Sequence, residues 1–561
     1  MLAFLLFIVA YGTWKSQKQA KDVKGFLLAN KSAAWFTVAL SIAATQASAI
    51  TFISTPGQAY ADGMRFVQFY LGMPIAMIIL SITFVPIYHK LNVYTAYEYL
   101  EKRFDTKNRI MAGLLFLISR GIAAGLTLFA PALFISVVLG WNLQVTVIVI
   151  GVLVIVYTAS GGTDAVNKTH FLQMIVIMFG MVAALFMIFK LLPVDVSVMD
   201  ATRIAGKIGK LNAIDFNFDL NNRYTFWSGI FGGVFLFLSY FGTDQSQVQR
   251  YLSGSSVTQS RMGLLVNGVV KVPMQFFILF IGAMTFVFFQ FEKPPIFFNP
   301  VESKNVNQSI YAKNYRELEN KHEQVFSEKK ETIQQLLTAM DSENQNRVDQ
   351  LSEQLRQQQQ ELSNVRTDAV KLIQQANPLA SDNDTNYIFL SFIISYFPIG
   401  LIGLVLAAIV SASMSSTAAE LNSLASTSLI DIYKRLINPN ATEQLYVKKS
   451  KQLTIAWGVL AISIALFANH VGTLIEAVNI LGSLFYGPIL GIFLVAFYLK
   501  KIGGTATFAG TIVAQIVVFI CYSFDLLPYL WFNLVGPLVL VIVALITNPF
   551  LQKRDLKTSQ N

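Results

Sequence analysis

A short stretch of hydroxyl and alanine side chains stands where a membrane helix would normally carry leucine and phenylalanine. The sequence is apolar from Leu401 onward and then fills with small residues, and the spacing of Ala412, Ser415 and Ser416 puts all three on one helical face. Two hydroxyl groups beside a free carbonyl would form a dry, oxygen-lined spot, and oxygen is the ligand that hard cations prefer. Small residues also mark tightly packed helix interfaces. The stretch alone therefore leaves a Na⁺ site and a packing surface equally open.

The composition defines the class of protein that must position these residues. Of the 561 residues, 54% are hydrophobic and 13% are charged, whereas soluble domains carry about 25% charged residues. The chain is therefore predicted to be an all-α membrane protein with many spans. Its net charge of +10 does not indicate a nucleic-acid partner, because the basic residues lie mainly in short loops between apolar segments. The single cysteine, Cys521, cannot form an internal disulfide.

Apolar runs long enough to cross a bilayer recur along the chain. Residues 1–13 are apolar but shorter than the roughly 20 residues that a span needs, so we interpret them as a truncated first helix. Basic loops alternate with poorly charged ones, which places the loop before residue 35 and the C-terminus on the cytoplasmic side. Further spans are predicted at 35–60, 64–88, 110–140, 143–161, 170–192, 225–247, 263–291, 388–430, 450–469, 473–499, 504–524 and 528–549.

Two of these predicted spans are unlike the rest. The run 35–63 is interrupted by threonine, serine and glutamine and then by Pro56–Gly57, and the run 225–250 contains Gly242–Thr243–Asp244–Gln245. They are the first and the sixth spans after the truncated one. Interrupted helices at matching places in two halves predict a five-plus-five inverted repeat with a binding site near the midplane. Unwound backbone there would expose carbonyl groups to an ion and a solute.

Residues 300–386 have the composition of a soluble segment. They are rich in glutamine and carry 14 acidic and 10 basic residues. Apolar residues recur at a spacing of three to four on both sides of the polar break 341–347, which predicts two helices folded back into an antiparallel coiled-coil hairpin. The hairpin falls on the loop side opposite the lysines, so it is expected to be extracytoplasmic and accessory, with a protein partner as one possible role.

Several motifs resemble those of the sodium/solute symporter family, and in particular its iodide and monocarboxylate branch; galactose, proline and sialic-acid carriers are also similar. The resemblance covers nearly the whole chain except 300–386. It implies a LeuT-type inverted repeat of about 13 transmembrane helices. The matching pieces are SIAATQASAITFISTPGQAYADG (41–63), TAYEYLEKRF (95–104), YTASGGTDAVNKTHFLQ (157–173), GTDQSQVQRYLSG (242–254), AAIVSASMSS with LNS and DIYK (407–434), and GSLFYGPILGIF (482–493).

The resemblance also implies a sodium site and, at the same time, a departure from the family pattern. The family's site combines backbone carbonyls of the first broken helix with hydroxyls of the eighth. On this sequence the corresponding positions are Ala43, Gln46, Ala412, Ser415 and Ser416. A second sodium site is not expected, because the position of the family's aspartate is His170, and Ala418 and Ala419 replace a hydroxyl pair. His170 is expected to be either an interfacial histidine or a titratable group beside the ion pathway.

The positions that correspond to the family's substrate pocket are mainly aromatic. They are Thr45, Tyr70, Met73, Phe237 and Tyr240. A sugar requires a dense set of donors and acceptors, so these residues do not favour a hexose. Arg120 lies within a predicted span; it would meet an organic carboxylate, pair with a structural partner, or extend its charged end to the cytoplasmic interface.

The expected function is Na⁺-coupled symport of a small organic solute into the cell by alternating access, in the plasma membrane. No constellation of catalytic residues is visible, and an enzyme is not expected. The alternative is a transporter-like receptor that signals through the hairpin. The expected domains are the truncated helix and loop (1–34), the first repeat (35–192), a loop (193–224), the second repeat (225–299 and 387–499) around the hairpin (300–386), and two peripheral helices with a cytoplasmic tail (500–561).

Overall fold

The computed structural model describes residues 23–342, 344–468 and 473–558, without the side chains of 29, 160–172 and 552–558. The predicted truncated helix, 1–13, lies outside these residues. Apart from an isolated bridge between Ala33 and Gly254, the described residues form helices and loops only. The helices of the first half are α1 (Val23–Leu28), α2 (Trp35–Gln46), α3 (Ala49–Asp62), α4 (Met73–Ile82), α5 (Phe84–Leu91), α6 (Glu98–Arg103), α7 (Thr106–Leu139), α8 (Leu143–Lys190) and α9 (Val198–Lys207).

The second half begins with a π-helical turn, Ser228–Gly232, and contains the insert. Its helices are α10 (Gly233–Gly242), α11 (Gln245–Leu252), α12 (Val257–Phe291), α13 (Pro300–Asn307), α14 (Ala312–Asp341), α15 (Gln345–Ala376), α16 (Thr385–Tyr396), α17 (Ile399–Thr427), α18 (Glu443–Phe467), α19 (Leu474–Tyr498), α20 (Gly504–Ser523) and α21 (Tyr529–Thr558).

Nine helical segments among the described residues are long and apolar enough to cross a membrane. Three shorter apolar helices accompany them, Leu143–Ala159, Ser228–Gly242 and Thr385–Tyr396. The first of these and Gln173–Lys190 lie in one helical element, α8, where the sequence predicts two spans. The protein is therefore a multi-pass, all-helical membrane protein, while the count of about 13 spans stays a prediction.

The first polar helix is broken, at a different place from its proline. α2 ends at Gln46, Ala47 and Ser48 leave the helical conformation, and α3 begins at Ala49. Pro56 lies inside α3 instead. The glycine after it serves packing, because the carbonyl of Thr385 leaves no room for a Cβ at Gly57.

The second polar helix is broken where the sequence predicts it. α10 ends at Gly242, Thr243 is non-helical, and Asp244 begins α11 by accepting a hydrogen bond from the backbone N–H of Ser246 at 2.8 Å. An aspartate at this position satisfies an N–H group that the new helix leaves unpaired.

The predicted span 388–430 is two helices rather than one. α16 ends at Tyr396, Phe397 and Pro398 are extended, and α17 begins at Ile399. A proline has no N–H to donate to the preceding turn and disfavours helical geometry in the residue before it, which explains the interruption.

The insert consists of two long helices that pack side by side in opposite directions. Their side-chain contacts pair residues whose numbers rise in one helix as they fall in the other: Lys321 with Glu361, Lys329 with Gln359, and Gln335 with Arg347. The predicted break, 341–347, falls at the turn between α14 and α15. The antiparallel hairpin is thus present, and its supercoiling remains a prediction.

Polar contacts tie the start of the insert to its end. Arg366 forms an ion pair with Asp384 and donates to the carbonyl of Ile296 at 3.1 Å. Asp384 also accepts a hydrogen bond from the backbone N–H of Phe298, and Asn377 donates to both carboxylate oxygens of Glu302 at 3.1 Å. The chain therefore enters and leaves the insert at one place on the transmembrane body.

Candidate functional site

The oxygen-lined spot predicted from the sequence lies between α17 and the break after α2. The Ser415 hydroxyl donates to the carbonyl oxygen of Ala44 at 2.9 Å, across the two helices. The Ser416 hydroxyl donates to the carbonyl oxygens of Ala412 and Ser413 at 3.0 and 3.2 Å. All of these groups are buried. Two hydroxyls and the free end of a helix thus converge in a water-poor place.

The backbone at the end of α2 supplies the other half of this spot. Its carbonyl oxygens point along the helix axis and carry partial negative charge. The Ala43 carbonyl accepts from the N–H of Ala47 at 2.8 Å, and the Gln46 carbonyl accepts from the N–H of Ser48 at 3.1 Å. A carbonyl oxygen has two lone pairs, so each retains one for a further ligand. The Ala44 carbonyl is the oxygen that the sequence did not single out.

A small cavity opens beside this spot, with a volume of about 80 Å³. Its wall includes five of the six predicted substrate residues, Thr45, Tyr70, Arg120, Phe237 and Tyr240, together with the predicted sodium residue Gln46. Other lining residues are Ser48, Thr51, Thr127, Glu420, Asn479 and Tyr486.

Met73 is the predicted substrate residue that does not line the cavity. It is fully buried at the start of α4. The adjacent Gly72 lies against the backbone of Gly233 and Val234 without room for a Cβ. This part of α4 is therefore a helix-packing contact, which explains why the side chain of Met73 is not in the wall.

Arg120 is buried and paired with two carboxylates. Its Nε donates to Asp244 at 3.1 Å, its Nη1 donates to Glu420 at 3.1 Å, and its Nη2 donates to Asp244 and, at 2.5 Å, to the hydroxyl of Tyr486. The guanidinium also lies 5.4 Å from the centre of the Tyr240 ring. Arg120 therefore has structural partners among the described residues. Because it also lines the cavity, its contact with a solute stays a prediction.

The same cluster leaves acceptor oxygens without partners. One arginine and two carboxylates together carry a formal charge of −1. The Oε1 atom of Glu420 accepts from Arg120, whereas its Oε2 atom has no hydrogen-bond partner among the described residues, although the residue is only 5% exposed. The Oε1 atom of Gln46 is also unpartnered. An unpaired buried carboxylate oxygen is costly, so the cavity is suited to a positively charged species.

The positions at which the sequence excluded a second sodium site are partly described. Ala418 and Ala419 are fully buried on α17 and offer no side-chain oxygen. The side chains of His170 and Asp164 lie outside the described residues. Glu420, one residue further on, is the carboxylate that the structure places in the cavity.

The most specific sequence motifs form polar contacts on the predicted cytoplasmic side of the cavity. Arg109 donates to Asp431 and to Glu101 at 2.7 Å each, and Thr95 donates to the same Asp431 at 2.9 Å. These contacts join α7 to the motifs TAYEYLEKRF and DIYK. Gln245 completes them by accepting from the N–H of Ala96 at 3.1 Å.

Comparisons with known proteins agree with this architecture. The profile of the sodium:solute symporter family matches residues 26–315 and 368–514. The chain belongs to this family. The part of the chain between the two matched ranges lies within the insert.

Individual relatives match over different shares of their length. The human sodium/iodide cotransporter is 31% identical over 270 residues, which are 47% of this chain and 41% of that protein. The Xenopus laevis sodium-coupled monocarboxylate transporter 1 is 33% identical, over 45% of this chain and 39% of its own. The sodium/sialic acid symporter SiaT of Proteus mirabilis is 25% identical over all of this chain and 97% of its own.

Solved structures show the same fold. The substrate-bound, outward-open structure of a Na⁺-coupled sialic acid symporter superposes with a TM-score of 0.74 at 22% identity, over 98% of this chain and 96% of its own. Mhp1, a nucleobase-cation-symport-1 family transporter, superposes with a TM-score of 0.51 at 14% identity, over 94% of each chain.

Proposed function

We propose that this protein is a secondary active transporter that couples inward movement of Na⁺ to uptake of a small organic solute. The observation that carries the proposal is the 2.9 Å contact from the Ser415 hydroxyl to the Ala44 carbonyl. It brings the hydroxyl pair of α17 to the free carbonyls of α2, in a chain of the sodium:solute symporter family.

Na⁺ is proposed to bind between these two helices. Its ligands are the carbonyls of Ala43, Gln46 and Ala412 and the hydroxyls of Ser415 and Ser416. The ion would replace the direct Ser415 hydrogen bond as the link between α2 and α17, so its binding energy depends on how these helices are arranged. An ion that binds one arrangement more tightly shifts the population toward it, which is how sodium can raise solute affinity.

The solute is proposed to bind in the adjacent cavity, against Tyr70, Phe237, Tyr240 and Thr45. Aromatic walls suit a solute with an apolar part, and the few polar groups would fix its orientation. A volume of about 80 Å³ holds only a few water molecules. A larger solute therefore enters only when the walls move apart, as alternating access requires.

One Na⁺ per solute is the proposed stoichiometry. The cluster around Arg120 carries a formal charge of −1, and one Na⁺ close by would make the site neutral overall. Two cations in a low-dielectric site would repel each other strongly without a further anion. The lack of a side-chain oxygen at Ala418 and Ala419 supports the same conclusion.

The proposed setting is the plasma membrane, with the hairpin outside and the C-terminus in the cytoplasm. The basic loops support this orientation. The five-plus-five inverted repeat is proposed to span 35–192 and 225–499 around the hairpin insert, 300–386. Lipid surrounds the spans, and a protein partner for the hairpin is a secondary possibility.

The test is uptake by purified protein in proteoliposomes. A panel of radiolabelled small carboxylates, amino acids and sugars is offered with an inward gradient of Na⁺ or, as a control, of K⁺. At least one solute should accumulate with Na⁺ only. Saturable binding of a solute without accumulation would overturn the proposal and favour the receptor alternative.

A further inference from the structure

A second, larger cavity lies between the hairpin and the transmembrane body. Its volume is about 250 Å³. The outer end of α3, the end of α12, the loop after α9 and both hairpin arms form its wall, and it shares no lining residue with the cavity beside α2. Its aromatic side chains are Tyr60, Phe286, Phe289, Phe298 and Phe326.

The wall of this outer cavity is basic. Lys210, His322, Lys329 and Arg366 line it, and its described lining residues include no aspartate or glutamate. Arg366 is balanced by Asp384. The insert as a whole carries more acidic than basic residues, so the concentration of basic groups on this one surface does not follow from its composition.

Lys329 is the basic group whose charge the described residues leave unbalanced. It is 2% exposed, its Nζ donates to the amide oxygen of Gln359 at 2.6 Å, and no carboxylate of the described residues forms an ion pair with it. The Nζ atoms of Lys329 and Lys210 lie 5.8 and 4.4 Å from the centre of the same Phe286 ring. Two ammonium groups this close in a buried place repel each other unless an anion lies between them.

A hydrogen-bond acceptor without a partner among the described residues also belongs to the wall of the outer cavity. Gln290 is 2% exposed, its Nε2 donates to the carbonyl of Phe286 at 2.7 Å, and its Oε1 has no hydrogen-bond partner in the described part of the chain. Because the Nε2 contact fixes which end of the amide is which, the free atom is the oxygen. A ligand that fits this cavity therefore carries negative charge for the lysines and a hydrogen-bond donor for Gln290.

A purely structural role for Lys329 is the alternative. A buried lysine can remain as a neutral amine, and its long side chain packs well against aromatic rings. That role accounts for the contact with Gln359. Lys210 also has a structural contact, because its Nζ donates to the carbonyls of Tyr60 and Ala61 at 2.8 and 2.5 Å. A structural role does not account for the free oxygen of Gln290 or for a cavity large enough for a small organic molecule.

We propose that the outer cavity is a binding site for a small organic hydroxycarboxylate. Its carboxylate would be held by Lys329 and Lys210, its hydroxyl would donate to the Oε1 atom of Gln290, and its apolar part would lie against Phe286 and Phe289. The ligand bridges the hairpin to the outer end of α3, which is the outer half of the broken helix. The site is separate from the proposed transport site. The bound ligand holds the hairpin against the outer end of α3.

Lactate is the probe for the first test. Binding is measured by isothermal titration to the full chain in lipid nanodiscs, in a sodium-free N-methyl-D-glucamine buffer. Wild type should bind lactate, and Lys329→Met should weaken it by about tenfold, or about 1.4 kcal/mol. Lys330→Met makes the same change one residue away, outside the cavity wall, and should bind like wild type. Equal binding by Lys329→Met and wild type would overturn the proposal, as would equal binding of chloride or neutral glycerol.

A second variant keeps the proposal testable if Lys329→Met does not fold. Gln290→Met is similar in shape and loses only the hydrogen bond within its own helix. Wild type should bind lactate more tightly than propionate, which lacks the hydroxyl, and this preference should disappear in Gln290→Met. An unchanged preference would show that Gln290 does not contact the ligand. Because both tests measure binding without Na⁺, their failure leaves the proposed symport untouched.

Discussion

The two cavities of this protein have opposite charges. The wall of the cavity beside α2 includes Arg120, which is paired with two carboxylates, and two residues with unpartnered acceptor oxygens, Gln46 and Glu420. The outer cavity contains two lysines that share one aromatic ring and no carboxylate in its described wall. Charges in a low-dielectric place must be balanced locally. The first cavity is therefore built for a cation and the second for an anion.

The two cavities also differ in how the chain builds them. The cavity beside α2, called the inner cavity below, is lined by residues of α2, α7, α10, α17 and α19. These helices all lie within the ranges that the family profile matches. The outer cavity needs the hairpin, part of which lies outside those ranges. The difference assigns the proposed transport site to the shared body and the proposed anion site to the insert. The following predictions test whether the two are separable.

The largest effect is expected from the hydroxyl pair. Ser415→Ala and Ser416→Ala each remove a ligand oxygen while alanine preserves the helix, so the sodium concentration for half-maximal uptake should rise by about tenfold. Ser423→Ala, also fully buried on α17, is the matched control. Sodium-dependent uptake in proteoliposomes is the measurement. Unchanged half-saturation in both variants would remove the assigned ion site.

Glu420→Gln tests the charge of the inner cavity. Loss of one negative charge should weaken sodium binding several-fold, since the cluster would become neutral before the ion enters. The Hill coefficient should stay near one, with one charge moved per solute. Glu476→Gln, in the first turn of α19, is the control. A sigmoidal sodium dependence in wild type that Glu420→Gln makes hyperbolic would show a second sodium at Glu420.

Removal of the hairpin tests whether the cavities are independent. Replacing 312–376 with a short Gly/Ser linker leaves Asp384 and the entry segment in place. Sodium-dependent uptake should persist, whereas lactate binding should be lost. Uptake is compared with wild type at equal amounts of reconstituted, monodisperse protein. Loss of uptake in such a preparation would show that transport needs the insert.

The smallest effect is expected from pH. Burial, together with the nearby charge of Lys210, lowers the pKa of Lys329 to about 7, and burial lowers the pKa of Lys210 to about 8. An anion binds the protonated lysines, so lactate affinity should fall as the pH rises through this range and level off on the acidic side. Arg366 on α15, which is paired with Asp384, and His322 also line the cavity; burial and the charge of Lys293 lower the pKa of His322 to about 4. Asp62 on α3 opposes the lowering of the Lys210 pKa, and Arg65 adds to it.

Titration of lactate binding at several pH values measures this effect. Lys329→Met should flatten most of the pH dependence, because the lower of the two lysine pKa values is then absent. A profile that is unchanged in the variant would assign the pH dependence to Lys210 alone.

Local patterns in the sequence predicted the hydroxyl face of the inner site. Ser415 and Ser416 are recognisable because their spacing is read along one helix. The Ala44 carbonyl is not recognisable in the sequence, because every residue has a carbonyl and only the position of the helix break makes this one available. Pro398 alone would predict a helix break. The apolar run around it is long enough for one continuous span, however, so a single span was predicted.

Contacts between distant segments could not be predicted in the same way. Glu420 follows Ser416 by one helical turn, but its place in the cavity depends on Arg120 and Asp244, which are far away in the chain. The outer cavity needs Lys210 and Lys329 to meet at Phe286, and no local pattern relates these three residues. Within the hairpin the local pattern is more informative, because Val325, Leu355 and Leu362 belong to the helical spacing and are buried.

Because the two ends of the insert are held together, the insert can be exchanged for another domain. Arg366, Asp384 and the N–H of Phe298 hold the two ends of the insert together, so its two connections to the transmembrane body lie side by side. Any compact domain whose ends lie side by side could take its place without stretching α12 or α16. The same attachment offers an engineer a site at which a fluorescent reporter could replace the hairpin.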